Sequence, residues 1–408
     1  MLLRVVLIPL SVLLMATVVS AQDVTLPDID ISGSPDGIVP LPNNTPEVFT
    51  NWFSMYTKVV APNGKPIHLI AQSGWTRDQV LKARNVMEYI LESFPGSEYG
   101  DNKAAVSNAL ADRKATMVLF NTPEILREAL SGPLGSVTDL SMQDLRANEC
   151  PAEGDEDYMA HITRDASFEE ILHLVQDYGI RPALPKMQKE IEAAHEAMEE
   201  KELWESWGDA NEYIAVILDN YLDLWTVNPT VYEGRPIEPG RIPEGATHFG
   251  AYRAANGRAM LETNDPQGYV LLEKFFPRHL TYTPQLPLDF KGTYSITYDP
   301  NVRYTMKAQH LRNVTLRGDN DANLVGNQHT NVLTGNAGDN ALQGGAGDDR
   351  LNGNGGDDTA VYSGAQADYI VTKHNGFTTV RDERLNRDGV DTLTSIESVK
   401  FSDGTVEL

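Results

Sequence analysis

Two groups of residues in this sequence have the types and spacing that chemistry needs. The first runs from Gly326 to Val361, which laid out in nines reads GNQHTNVLT, GNAGDNALQ, GGAGDDRLN, GNGGDDTAV. Glycine opens each unit, at Gly326, Gly335, Gly344 and Gly353. The sixth position holds Asn331, Asn340, Asp349 and Asp358, and the eighth holds Leu333, Leu342, Leu351 and Ala360. Glycines such as Gly344, Gly345, Gly347, Gly353 and Gly356 let the backbone take positive φ and turn its carbonyls inward. A side-chain oxygen at the sixth position then completes a hard, all-oxygen shell of the kind Ca²⁺ prefers. No unit can bury its one apolar residue alone, so the leucine column predicts stacked units, a solenoid. The bland alternative is a flexible Gly/Asn/Asp-rich loop, which does not explain a leucine at every ninth residue. An EF-hand fits worse, because Asp319, Asn320 and Asp321 lack the glycine and the terminal glutamate of that loop.

The second group lies in the segment 165–178. At 3.6 residues per turn, Phe168, Ile171, Leu172, Leu174, Val175 and Tyr178 share one helix face, and Glu169, Glu170, His173, Gln176 and Asp177 share the other. Glu169 and His173 are four apart, which brings a carboxylate and an imidazole onto one stripe. Such a pair suits Zn²⁺, with Glu170 beside it as general base. Two simpler readings stand next to this one: Ser167 to Glu170 has the spacing of a capping box, and the polar face is one that water could solvate. A later apolar helix, 209–225, carries Glu212, Asp219 and Asp223 on a narrow stripe, and Glu212 is the natural third ligand.

The third nonapeptide, GGAGDDRLN, matches G-G-x-G-x-D-x-U-x at every fixed position. The region resembles the RTX, or hemolysin-type, calcium-binding repeats. That resemblance implies a parallel β-roll with two units per coil, so that each turn stacks on the turn two units away. It would set Asn331 with Asp349 on one ion and Asn340 with Asp358 on another, about two sites. Each pair has one carboxylate and one amide, and fewer ligand charges mean weaker binding. The segments Asp368-Tyr369, 387–391, Ile396-Glu397 and 401–404 resemble the recurring ending of RTX proteins. RTX proteins typically leave the cell through a C-terminal signal and lack an N-terminal one, from which this chain departs.

The string E-E-I-L-H at 169–173 occupies the frame of the metallopeptidase motif H-E-x-x-H. With Leu174 to Ile180 it resembles the lethal-factor-like zinc peptidases over about a dozen residues, although Glu169 stands where that family has its first histidine. The resemblance implies zinc on Glu169, His173 and Glu212, Glu170 as base, and a protein or peptide substrate. The family pattern E-Y-F-A-E would put the third ligand where this chain has Val216. Asn211-Glu212 is instead similar to the N-E-x-x-x-D segment of thermolysin-like enzymes. His161 is a reserve nitrogen ligand.

Several elements must position these groups. Thr76 to Gln79 reads as a capping box, opening a helix with Val80, Ala83, Met87 and Leu91 inward. Residues 56–60 and 67–71, around Ala61-Pro62-Asn63-Gly64, read as a hairpin. Residues 116–120 read as a short buried strand, and 185–207 as a charged helix with Met187, Ile191, Ala194 and Met198 inward. The runs 268–272, 279–283 and 294–298 read as β-like, while His248, His279 and His310 stand alone. The expected fold is a helix-rich α+β, zincin-like N-terminal domain followed by a C-terminal parallel β-roll with a β cap. Its divisions are a signal peptide (1–21), a linker (22–47), the α+β domain (48–245), a β-rich connecting segment (246–314), the roll (315–361) and the cap (362–408).

Composition bounds the partners. Thirty-three basic residues against 58 acidic ones leave a formal charge of −25, which argues against nucleic-acid phosphate. Residues 1–21, with Arg4, an apolar run and Val19-Ser20-Ala21, read as a cleaved secretory signal. No later stretch is long enough for a stable membrane span, so the mature chain is expected to be secreted. Cys150 is the single cysteine, so no intrachain disulfide exists; it reads as a small buried residue. Calcium is the expected cofactor, and zinc follows only on the peptidase reading. For the first domain two functions remain open: a zinc peptidase-like hydrolase, or a non-enzymatic adhesion, surface or binding module stabilised by the calcium-bound roll.

Overall fold

The computed structural model describes residues 24–137, 141–161, 165–204, 208–224, 231–232, 235–236 and 251–408. The signal peptide at 1–21 and His248 lie outside them.

The N-terminal region is mixed α+β around a five-stranded sheet in the order Val39–Pro40, Met55–Val60, Pro66–Ala71, Thr116–Phe120, Met142–Arg146. The first two pairings are antiparallel and the last two parallel. The expected hairpin forms because Gly64, at φ +79°, closes the turn that Pro62-Asn63 begins. Alternation then divides the strands between two cores. Ile67, Leu69, Met117 and Leu119 face the helices, whereas Tyr56, Ile70, Val118 and Phe120 face a second layer. That second layer corrects the reading of 22–47 as a linker. Leu26, Ile29 and Leu41 are buried with Phe49 and Phe53, and Val39–Pro40 pairs as an edge strand. Pro- and Asp-rich composition hides apolar residues too irregularly spaced to show a period.

Thr76 caps the Arg77–Leu91 helix with the full capping box, reciprocated by Gln79. The Ser167–Val175 helix packs against that helix, the strand Met142–Arg146 and the helix Ala210–Tyr221. It is buried nearly all round, including Glu169 and His173, so its polar face is not solvated. The S-x-x-E box does not form either: Ala166 is the N-cap, and Ser167 donates instead to Asp165.

Residues 268–272, read as β-like, lie in the helix Pro266–Glu273. Asp265 caps it by accepting from the Gly268 amide at 3.0 Å, and Pro266 sits where its missing N–H is harmless. The second run survives only as a bridge between Leu280 and Leu311, and the third as Gly292–Ser295.

The C-terminal region is a repetitive β structure of solenoid type. One sheet orders Gly404–Glu407, Ser398–Phe401, Thr359–Val361, Ala341–Gln343, Ala322–Val325 and Gly292–Ser295. The other orders Tyr369–Lys373, Thr378–Asp382, Val390–Thr394, Arg350–Asn352, Val332–Thr334 and Asn313–Thr315. Successive repeats alternate between the sheets, so Leu324 pairs with Leu342 in one and Leu333 with Leu351 in the other. All four leucines are buried, at 1% exposure or less, in one continuous core.

Candidate metal centres

The turns between strands bring the sixth-position residues into two stacks. Asn331 N–H donates to Asp349 Oδ1 at 2.8 Å, and Asn340 N–H donates to Asp358 Oδ1 at 2.8 Å. These are the two pairs expected to share turns. Units three and four take positive φ at their second and fourth positions, Gly345 (+91°), Gly347 (+120°), Asn354 (+70°) and Gly356 (+113°). Gly344 and Gly353, expected to do the same, do not. They are needed for space, because a Cβ there would collide with Asp349 Oδ2 and Asp358 Oδ2 respectively. At Gly347 a Cβ would lie 2.8 Å from the carbonyl carbon of His329, so glycine is needed for space as well as for φ.

Units one and two are wired differently. Asn331 Oδ1 accepts from Asn327 N at 2.8 Å, and its amide donates to Arg312 O and Asn327 Oδ1, each at 3.2 Å. Asn340 repeats this on Asn336 and Ala322 O. Side-chain amides therefore satisfy those turns from within. Asp349 and Asp358 stand in contrast: both are buried, and among the described residues neither Oδ2 has a hydrogen-bond partner. An orphaned buried carboxylate oxygen is costly unless a cation meets it. Burial, opposed by the Asn331 N–H, pushes the Asp349 carboxyl up to about 7. Burial likewise raises Asp358 to about 6, with Glu397 adding to the effect. Both oxygens are hard donors, each beside the first-position glycine of its own unit, a fit to Ca²⁺ rather than to a softer ion.

In the α+β region, one ligand atom each from Glu169, His173 and Glu212 lie within 4.8 Å of one another. Helical spacing aligns the first two. Asp209 caps the second helix, accepting from Asn211 N at 2.8 Å, and so fixes Glu212 in its first turn. His173 Nδ1 is hydrogen-bonded to Asn211 Oδ1, and its Nε2 lies 3.8 Å from Glu212 Oε2. Glu170 is outside this group. It accepts from Gln143 Nε2 at 2.7 Å, and burial pushes its carboxyl up to about 7. His161 is outside it as well.

Other groups that the sequence did not join as sites converge in space, and His279 and His310, read as standing alone, are among them. Asp391 Oδ1 accepts from Asp349 N at 2.9 Å, and Glu397 Oε2 accepts from Asp358 N at 2.8 Å, extending both stacks. Separately, His279, His310 and His329, with Asp223, line a cavity of about 510 Å³. His310 Nε2 meets Asp223 Oδ2 at 2.8 Å, and the rings of His279 and His329 are 4.7 Å apart. These histidines are far apart in sequence, so only the tertiary fold joins them.

Residues 325–360 match the family of RTX calcium-binding nonapeptide repeats, four copies. This part of the chain is an RTX calcium-binding repeat region, of a kind generally found in secreted or extracellular proteins. No curated protein matches the chain. Among solved structures, the crystal structure of extracellular lipase LipA from Serratia marcescens is 10% identical, with a TM-score of 0.21, over 85% of this chain and 54% of that one. The chain thus spans about half the length of that lipase. Among the described residues, no helix is long and apolar enough to cross a membrane.

Proposed function

We propose that this is an exported protein whose C-terminal β-roll is closed by calcium, and whose α+β domain is a non-enzymatic binding module displayed on that roll. The observation that carries the calcium reading is the pair of buried Oδ2 atoms, on Asp349 and Asp358, without a partner among the described residues. They lie in two adjacent repeats at the motif's carboxylate position. Asn331 and Asn340 face them across each turn, with Gly344, Gly345, Gly347, Gly353 and Gly356 presenting backbone oxygens. A charge of −25 and a single cysteine suit a chain that folds where calcium is plentiful and disulfides are not used. The module reading for the first domain is supported by Glu170, the candidate base, whose carboxylate is turned to Gln143.

The closeness of Glu169, His173 and Glu212 favours a second reading, a zinc-dependent hydrolase acting on protein or peptide. One imidazole and two carboxylates form a donor set that Zn²⁺ accepts. With Nδ1–H donated to Asn211 Oδ1, the Nε2 lone pair of His173, 3.8 Å from Glu212 Oε2, is the ring's ligand atom for a metal. A zinc ion there would act as a Lewis acid on bound water.

Two measurements on the full chain decide. Circular dichroism and calorimetry with calcium and with EGTA should show β signal and stability lost on chelation; unchanged curves would remove the calcium reading. Metal analysis of protein purified without chelator should find no stoichiometric zinc and no hydrolysis of casein. About one zinc per chain, lost in His173→Ala, would instead establish the second reading.

A further inference from the structure

The cap conceals two more repeat units. After Val361 the chain leaves the solenoid for the antiparallel hairpin of Tyr369–Lys373 and Thr378–Asp382, then returns at Val390. It returns in register: Arg350 pairs with Thr392, Leu351 with Leu393 and Asn352 with Thr394. That register sets Asp391 on Asp349 and Gly389 on Gly347. Gly389 has φ +65°, and a Cβ there would collide with the Gly347 carbonyl oxygen, just as one at Gly356 would collide with that of Gly338. Residues 386–394, NRDGVDTLT, are therefore a fifth unit, with glycine fourth, aspartate sixth and leucine eighth.

A sixth unit follows in shortened form. Thr359 pairs with Ser398 and Ala360 with Val399. Gly353 abuts the Ser395 carbonyl as Gly326 abuts that of Gly344, so Ser395 occupies the first position. A full unit takes six steps from the first position to the seventh, Gly353 to Thr359, and this one takes three, Ser395 to Ser398. Glutamate, one methylene longer than aspartate, spans the shorter turn and still meets Asp358 N.

We propose that calcium binds between these units and the repeats, held by Asp349 with Asp391 and by Asp358 with Glu397, and that these are the tightest calcium positions in the protein. The proposal rests on the calcium reading above. The level between Asn331 and Asp349 has one carboxylate, whereas the level between Asp349 and Asp391 has two. The same step from one to two separates Asn340/Asp358 from Asp358/Glu397. At these levels the lower carboxylates, Asp391 and Glu397, each accept from the amide above through one oxygen. The upper ones, Asp349 and Asp358, accept from Asn331 and Asn340 through Oδ1, and their Oδ2 atoms are buried and, among the described residues, unpartnered. Asp349, Asp391 and Asp358 are buried and Glu397 is exposed. Stacked carboxylates repel unless a cation lies between them, most where they are buried, and ligand charge count is what strengthens a calcium site. Neighbouring Asp388 is excluded as a ligand by its own bonds to Ser363 N and Oγ and to the Tyr369 hydroxyl.

Calorimetric titration of the full-length protein with CaCl2 tests this, comparing wild type with Asp391→Asn, Glu397→Gln and the exposed control Asp321→Asn. Asn and Gln keep the carbonyl oxygen that accepts from the amide above, so the turns persist. Each cap variant should weaken the tightest binding step roughly ten-fold, and the control should leave it unchanged. Wild-type binding with both cap variants indistinguishable from it overturns the proposal alone; no binding by wild type overturns the calcium reading itself. Crystals of the wild-type chain grown with calcium read the same positions independently of variant folding. Anomalous peaks between 349 and 391 and between 358 and 397 support the proposal, and peaks confined to the level of the asparagines overturn it.

Discussion

Leu351→Ala separates a packed solenoid from a loop that merely collapses around ions. Leu351 is 1% exposed and sits in its ladder between Leu333 and Leu393, at 0% and 1%. Removing three carbons forfeits about 2–3 kcal/mol of transfer free energy at roughly 0.8 kcal/mol per methylene. A rigid ladder on either side relaxes little, so the residual cavity brings the total to about 3–4 kcal/mol. The neighbouring Val332→Ala is the control, because Val332 is 38% exposed on the outer face and its loss should cost less than about 1 kcal/mol. Urea denaturation in saturating calcium, followed at 218 nm (about the β minimum), reads both. The same deficit must appear in the calcium requirement. If two ions close the coil, about 3 kcal/mol shared between them raises the calcium midpoint for folding roughly ten-fold. Equal losses for Leu351→Ala and Val332→Ala would refute the inward leucine column, whatever calcium does.

Gly347→Ala should destabilise the roll by about 1–3 kcal/mol, since Gly347 has φ +120° and no room for a methyl group, while Gly355→Ala, with open space around it, should be neutral; urea midpoints compare them. Calcium affinity should fall as pH drops below about 7, because burial raises the folded, metal-free carboxyl of Asp349 to about 7 and protons then compete with the ion. The sign for the metal-free fold is opposite. A carboxyl raised above its unfolded value near 3.8 favours folding at acid pH and loses that contribution as pH rises toward 7, so chelated protein should be more stable at pH 5 than at pH 8 with respect to this group. Finally, Glu153→Gln should cost about 3–5 kcal/mol in chemical denaturation, because it removes the main counter-charge from Lys82, an ammonium 2% exposed with Asp165 at 3.5 Å as its other carboxylate.

Periodic features were legible. Leucine at every ninth residue fixed the inward column, and Thr76 with Gln79 fixed a helix start, because each is a local pattern that tertiary contacts only confirm. The approach of Glu169, His173 and Glu212 was also readable, since two lie four apart on one helix and the third follows a strong Asp209 cap. The polar face of that helix was harder, because nothing local distinguishes a solvated Glu169 from one buried under the Ala210–Tyr221 helix. Residues 268–272 misled because Tyr269, Val270, Leu271 and Leu272 form an apolar run without visible period; the Asp265 cap and Pro266 were the better signal. Asp391 and Glu397 escaped because a hairpin interrupts the nine-residue period and the sixth unit is cut short.

The two ends of the repetitive β region are covered by different side chains. At the near end, Tyr294 belongs to the first strand of one sheet and also stacks on Tyr304, 5.4 Å away, and lies 6.3 Å from Tyr158 of the α+β domain. Arg317 reaches back to Asp78 in an ion pair. The domain itself therefore covers the first coil, a role that solenoids otherwise assign to a dedicated cap. Beside it, Asn327, Asn331, Asn336 and Asn340 satisfy the first turns with amides, which need no ion. Farther out the amides give way to Asp349 and Asp358, whose second oxygens have no partner among the described residues. The far end is closed by an aromatic cluster of Tyr362, Tyr369 and Phe401, which the returning chain must bring into place. On the calcium reading, metal dependence is expected to rise with distance from the α+β region. The same reading expects chelation to loosen the last coils and the cap while the first coil, packed on the α+β region, persists.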